Sequence, residues 1–330
     1  MKILVVKLSS LGDVVHAMPA VQDMRAAFPG ARIDWVVERG FAPLVQRCDG
    51  VRRVIACELR RWRKAPWAAD TRAQWRAFRA ELAMEAYDAV IDLQGLAKSA
   101  LVARLARLAP GGRRYALANR TDGSSYEAPT RWVADVAVRI APHTPAVQRA
   151  RLLCAAALGY ALPGAERYGL LARPRHPASP LSAAAEDGCV ALVHGTSRAD
   201  KEWPEAHWLA LGQRLLDQGH LLTLPHGNDA ERARCERLAA ALGPRANIWP
   251  RLDVGALTDH MASCAGVVGV DSGLSHIAVA LDLPHVQIYN FDTAWRTGPQ
   301  GRARQRSVYA LPTPSVDAVW AAWQQAEAAA

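Results

Sequence analysis

Lysine is scarce in this chain. Only five of the 40 basic residues are lysine (Lys2, Lys7, Lys64, Lys98 and Lys201), and arginine supplies the rest. Arginine presents a planar fork of donors suited to carboxylates and phosphates. Long apolar runs are missing as well. No stretch approaches the roughly 20 residues needed to cross a bilayer. The N-terminal run Ile3–Val6 stops at Lys7, too short for a secretory signal. The six cysteines, at 48, 57, 154, 189, 235 and 264, form no C-x-x-C pair and have no histidine at zinc spacing. They read as small buried hydrophobes in a reducing compartment. Two phosphate-binding signatures are absent from the first turn: the G-x-G-x-x-G that admits a dinucleotide and the G-K-[ST] of a P-loop. Their absence argues against a nicotinamide-dependent dehydrogenase. No D-x-D metal motif occurs, which points to metal-independent chemistry.

What remains is a two-domain pattern. The chain has 330 residues, 51% of them apolar, enough for two cores. Apolar β-branched runs predict strands at 2–7, 32–37, 51–56 and 88–93, with helices at 14–28, 68–86, 96–108 and 145–158. Residues 161–188 carry Pro163, Gly164, Pro174, Pro177 and Pro180, the composition of a linker. A second series follows, with strands at 189–194, 220–224, 266–270 and 285–289 and helices near 205–218, 229–242, 254–264 and 274–282. This alternation predicts an α/β chain of two Rossmann-like domains, 1–160 and 189–313, facing each other across a cleft. A C-terminal helix within 314–330 is left free to return to the first domain.

Two regions carry chemistry. After the strand Ile3–Val6, the segment Lys7-Leu8-Ser9-Ser10-Leu11-Gly12-Asp13 makes a tight turn into a helix, so Asp13 lies at the sheet edge where open α/β folds bind ligands. Asp13 reads either as a reactive carboxylate or as a helix cap. In the second half, His194-Gly195-Thr196-Ser197-Arg198-Ala199-Asp200-Lys201 and Gly269-Val270-Asp271-Ser272-Gly273-Leu274-Ser275-His276 each link a strand to a helix. Hydroxyls, free N–H groups at a helix start and the Lys201 ammonium together suit a phosphate-bearing ligand. His276 reads either as a ligand contact or as a core histidine.

The net charge of +9 is unevenly spread. Residues 1–150 hold 24 basic and 14 acidic residues, a balance of +10, whereas 151–330 hold 16 and 17, a balance of −1. Arg60, Arg61, Arg63 and Lys64 sit beside Trp62 and Trp67, and Arg104, Arg107, Arg113, Arg114 and Arg120 follow in a stretch whose residues 101–120 include no acid. Three readings compete: a solvated face, a nucleic-acid surface, and a site for an anionic lipid headgroup with both indoles at the membrane interface. No recognised nucleic-acid module occurs, so the third is preferred and no nucleic-acid partner is expected.

Together these segments resemble the ADP-heptose:lipopolysaccharide heptosyltransferases, inverting glycosyltransferases of the two-domain GT-B fold. The likeness rests on K-L-S-S-L-G-D-V-V-H-A-M-P-A, D-W-V-V-E, D-L-Q-G-L-A-K-S, H-G-T-S-R-A-D-K-E-W-P and G-V-D-S-G-L-S-H. The first segment and R-R-W-R-K resemble type I more than type II, which stays the alternative. The resemblance implies transfer of L-glycero-D-manno-heptose from ADP-heptose to the inner 3-deoxy-octulosonate (Kdo) of Kdo2-lipid A, by a peripheral protein on the cytoplasmic face of the inner membrane. It implies Asp13 as general base. It implies donor contacts from Thr196, Ser197, Lys201, Asp229, Leu252, Asp271, Ser272, Gly273 and His276. On the acceptor side it implies Lys7, Ser9, Ser10, Gly12, Arg60, Arg61, Arg63, Lys64 and Arg120. No cofactor or metal is expected. The ribose contact falls on Asp229 or on Glu231. The segment Tyr289-Asn290-Phe291-Asp292-Thr293 departs from the family's Gly-Pro-Thr after that strand.

Overall fold

The computed structural model describes residues 1–173 and 188–330, so most of the expected 161–188 linker lies outside the described residues. The chain divides into two compact units, Met1–Leu170 and Leu171–Ala330. Residues at the start of the expected linker belong to the first unit: Tyr168 is buried, Leu170 bridges Cys48, and Gly169 accepts the Asp49 N–H at 2.7 Å.

The first unit runs β1 (Lys2–Val6), α1 (Leu11–Ala27), β2 (Arg32–Glu38), α2 (Ala42–Val45), β3 (Val51–Cys57), α3 (Leu59–Lys64), α4 (Ala69–Ala83), β4 (Ala86–Asp92), α5 (Ala97–Leu105), β5 (Arg107–Leu117), α6 (Pro129–Val133), β6 (Val136–Val138) and α7 (Ala146–Leu158). Its six-stranded sheet has the order β3-β2-β1-β4-β5-β6, parallel throughout. Successive strands from β1 go one way to β3, and the chain then crosses to β4 on the other side of β1. The gap between β1 and β4 is therefore the switch point, the place where open α/β folds bind ligands. Ile3–Val6 are fully buried because helices cover both faces of a central parallel strand.

The second unit repeats the plan: β7 (Val190–Val193), α8 (Glu205–Asp217), β8 (Leu222–Leu224), α9 (Asp229–Leu242), β9 (Ala246–Ile248), α10 (Val254–Met261), β10 (Gly266–Val270), α11 (Gly273–Ala280), β11 (His285–Tyr289), α12 (Ala294–Thr297), β12 (Gln305–Tyr309) and α13 (Val316–Ala328). The order β12-β11-β10-β7-β8-β9 is the same winding, with its switch point between β7 and β10. The C-terminal helix, whose placement the sequence left open, packs in this unit. Val319, Ala322, Trp323 and Ala326 enter the core formed by Val190, Leu192, Trp208 and Leu211.

Four strands escape the sequence pattern. The expected helix at 96–108 ends at Leu105, and β5 begins two residues later. Pro110-Gly111-Gly112 hides that strand, because such a triplet reads as a turn. The triplet accommodates a register shift against β4, with Gly111 at φ +77°. Gly112 lies so close to the Tyr87 carbonyl that a Cβ there would stand 2.5 Å from its oxygen. The other three, β6, β9 and β12, are short outer strands without a long apolar run. The six cysteines are free and buried, as their spacing implied.

Candidate functional site

At the first switch point the turn after β1 is held by the loop after β4. Gln94 Oε1 accepts the backbone N–H groups of Leu8 (3.1 Å) and Ser9 (3.0 Å). Lys7, buried at the end of β1, donates from Nζ to the Leu93 carbonyl at 3.2 Å and lies 3.8 Å from Asp13 Oδ1. Ser10 is the N-cap of α1 and Asp13 its third residue, and Asp13 Oδ2 accepts both the Ser10 N–H (3.1 Å) and its hydroxyl (3.0 Å). The two oxygens thus have different partners. Oδ2 closes the helix, while Oδ1 faces Lys7 on a side chain still 36% exposed.

The electrostatics favour an ionised Asp13. Burial alone would raise its carboxyl pKa. The Lys7 ammonium, His16 and the Ser10 N–H outweigh burial and hold it below the usual carboxylate range. A second carboxylate, Asp92, also acts on Lys7. It accepts Gln94 N–H (2.9 Å), Gly95 N–H (3.2 Å) and the Ser99 hydroxyl (2.9 Å), and burial pushes it up to about 6.

The expected acceptor side is sorted by the structure. Gly12 is buried in the first turn of α1 and Ser10 is exposed at its start. Ser9 is buried, and its hydroxyl accepts from Lys98 Nζ (3.0 Å) and Arg60 (3.3 Å). Arg61 is engaged locally with Glu58 at 3.1 Å and with Gln74. Arg63 and Lys64 are exposed on α3. Arg120 is exposed and donates to the Ser124 carbonyl at 3.1 Å.

Two members of the second basic stretch serve the fold instead. Arg114 donates to the carbonyls of Ala103 (2.9 Å) and Ala106 (3.0 Å) at the end of α5, and Arg107 to that of Ala83 (2.8 Å) at the end of α4. The reading of Trp62 as an interfacial indole is corrected. Trp62 is 6% exposed, edge-on to Trp75, packed on Phe78, and donates to Gln74. Of the two indoles, Trp67, 85% exposed, fits the interfacial reading.

At the second switch point Asp271 follows β10. Lys201 Nζ lies 2.5 Å from its Oδ2 and His276 Nε2 lies 3.6 Å from its Oδ1. Burial would raise the Asp271 pKa, but His276 and Lys201 hold it below the usual range. Thr196 donates its hydroxyl to the Asp271 carbonyl at 3.1 Å, tying the loop after β7 to the loop after β10. His276 is buried on α11, as the core reading has it, and it also faces the carboxylate of Asp271. Ser272 is the N-cap of α11, and its buried Oγ has no hydrogen-bond partner among the described residues. Gly273 is the first residue of α11. Gly269 must be glycine, since a Cβ would stand 2.3 Å from Ser275 Oγ. Ser197 is exposed on its loop and Leu252 half-buried between β9 and α10.

Asp229 and Glu231 are now distinguished. Asp229 is exposed at the first position of α9. Glu231 Oε2 accepts the Gly227 N–H at 2.7 Å, and its carboxyl carbon lies 2.7 Å from where a Cβ on Gly195 would stand. The carboxylate beside the Thr196 loop is therefore that of Glu231.

Four contributors carry no role in the sequence reading: Asp92, Gln94, Lys98 and Asn290. A usable signal existed for the first three. Asp92 ends the strand at 88–93 and the other two follow it, and the sheet-edge rule that singled out Asp13 applies equally to a strand paired with β1. Among the described residues no three His, Cys, Asp or Glu side chains gather as a metal site would need.

Known proteins match this arrangement. The sequence pattern of glycosyltransferase family 9 (heptosyltransferase) fits residues 75–317. Lipopolysaccharide heptosyltransferase 1 of Pseudomonas aeruginosa is 40% identical over 313 residues, covering 92% of this chain and 82% of its own. Its counterpart in Escherichia coli K12 is 40% identical over 290 residues, 88% of either chain. The solved structure of E. coli heptosyltransferase WaaC with ADP superposes with a TM-score of 0.85 at 33% identity, covering 100% of each chain.

Proposed function

The chain belongs to glycosyltransferase family 9, and on that footing we propose how it works and on what. It has the GT-B fold and transfers heptose in lipopolysaccharide core biosynthesis. The proposed donor is ADP-heptose and the proposed acceptor the inner Kdo of Kdo2-lipid A. The observation that carries this reading is the cluster of Lys201, Asp271 and His276 at the start of α11, at the β7/β10 switch point.

A single displacement inverts the anomeric carbon and needs two things. One group must take the acceptor hydroxyl's proton as the bond to C1 forms. Asp13 suits this role, with Oδ1 outside the cap, the side chain 36% exposed and the carboxylate kept ionised by Lys7. The leaving diphosphate must also be stabilised. Lys201 and the free N–H groups at the start of α11, just after Ser272, supply positive charge there without a metal ion. Thr196 and Ser197 line the same loop. Glu231, rather than Asp229, is the carboxylate for the ribose hydroxyls, with Leu252 on the adenine side.

The exposed Arg60, Arg63, Lys64 and Trp67 support an anionic, membrane-borne acceptor and a peripheral position on the cytoplasmic face of the inner membrane. No helix among the described residues is long and apolar enough to cross a membrane. The direct test is incubation with ADP-heptose and Kdo2-lipid A. A product heavier by one heptose, with release of ADP, is expected. Transfer only to an acceptor already carrying one heptose would mean type II activity instead.

A further inference from the structure

The loop that carries Lys201 is held from outside. Residues 197–200 are exposed, and within the turn Lys201 N–H reaches only the Arg198 carbonyl (3.1 Å) and Glu202 N–H only that of Ala199 (3.1 Å). The brace comes from the end of β11. Asn290, buried, donates from Nδ2 to the carbonyls of Asp200 (3.1 Å) and Glu202 (2.9 Å), the residues on either side of Lys201. Two carbonyls can be met only by the NH2 end of the amide, and the Thr313 hydroxyl donates to Oδ1 at 2.8 Å, so the orientation is chemically determined. Next along the chain, the Phe291 ring lies under the Arg198 guanidinium, 5.8 Å from its centroid.

We propose that Asn290 is a positioning residue for the donor diphosphate: by clamping the backbone on both sides of Lys201 it holds that ammonium in place, with Thr313 setting the direction of the clamp. The inference rests on the reading of Lys201 as the outer-phosphate cation. A lysine is a point charge on a flexible stem, and fixing its backbone removes part of the ordering cost of binding.

The test is calorimetry with ADP and AMP on the wild type, Asn290→Ala, Lys201→Ala and the double variant. Asn290→Ala is expected to weaken ADP about five- to tenfold, the scale of one to two lost hydrogen bonds. AMP affinity stays within about twofold if only the outer phosphate is affected. Donor KM rises and acceptor KM does not. In the Lys201→Ala background the same change has little further effect, because coupled residues are not additive. Thr313→Val keeps the amide but frees its orientation, and gives a smaller loss of the same kind with the fold intact. Equal losses for ADP and AMP in Asn290→Ala, or losses that add in the double variant, overturn the proposal while the Lys201 reading stands. If Lys201→Ala itself weakens ADP and AMP equally, that reading falls and the proposal falls with it.

Discussion

In Asp13 geometry gives the two oxygens of one carboxylate different partners, which leaves room for the proposed base beside the cap. Oδ2 caps α1 through Ser10, and Oδ1 remains beside Lys7. Removing the carboxylate with Asp13→Asn is expected to lower kcat by roughly 10²–10⁴, the usual worth of a general base. Donor affinity should stay near that of the wild type, and a variant retaining more than a tenth of kcat would reduce Asp13 to a cap. The pH dependence follows from the direction of its shift. A depressed pKa means the ionised, proton-accepting form persists as pH falls through the ordinary aspartate value of about 4. Lys7→Gln removes the strongest group holding it down and leaves burial to act, so the acid limb of kcat/KM should move upward, to about pH 4 or above. An acid limb that does not move in Lys7→Gln would show that the ammonium does not set the carboxylate's state.

Among the elements, α3 illustrates a division of labour between two indoles five residues apart. Trp62 anchors this six-residue helix into the cluster of Trp75, Phe78 and Leu82, while Trp67 stands in solvent just beyond its end. A helix this short has little stability of its own and depends on packing. Trp62→Ala is therefore expected to cost about 3–5 kcal/mol in chemical denaturation, as for other buried aromatics. Trp67→Ala should lie within about 0.5 kcal/mol of the wild type. Its effect should appear instead as weaker binding to anionic vesicles. A large stability loss for Trp67→Ala, or none for Trp62→Ala, would contradict this division.

On the scale of the whole molecule the charge split is the dominant feature, and the structure divides it further. Arg52 and Arg53 converge on the buried Asp34, and Arg107 and Arg114 bond helix-end carbonyls, so part of the excess supports the fold. The exposed α3 group, beside Trp67, is part of what remains. Neutralising Arg60, Arg61 and Arg63 together should raise acceptor KM and weaken vesicle binding, at roughly 1 kcal/mol per charge near an anionic surface. The proposed donor site lies in the other unit, so donor affinity should not change. Wild-type binding should fall as salt rises, and the triple variant should respond less steeply. If acceptor KM and vesicle binding both stay at wild-type values, the cluster is a solvated face. Selective loss of affinity for single-stranded oligonucleotides would assign it to nucleic acid.

The sequence by itself determined the two-unit α/β plan, the strands nearest both switch points and the loops that follow them. Central parallel strands are buried on both faces and must be written as apolar runs, and the turns beyond them must carry the polar residues, so both are visible in one dimension. Asp13, Lys201 and Asp271 stood out for that reason. Only the tertiary structure decided the rest. Strand order joined the loop after β4 to the turn after β1, and so brought Gln94, Lys98 and Asp92 to the site. Packing buried Trp62 and left Trp67 exposed, although both stand in the same basic stretch. Backbone proximity separated Glu231 from Asp229, two positions apart on one helix. Asn290 reaches carbonyls 90 and 88 residues away. Such a bond has no local signature: an amide that clamps a distant loop and an amide in a surface turn are written with the same letter, and only the fold sets them apart.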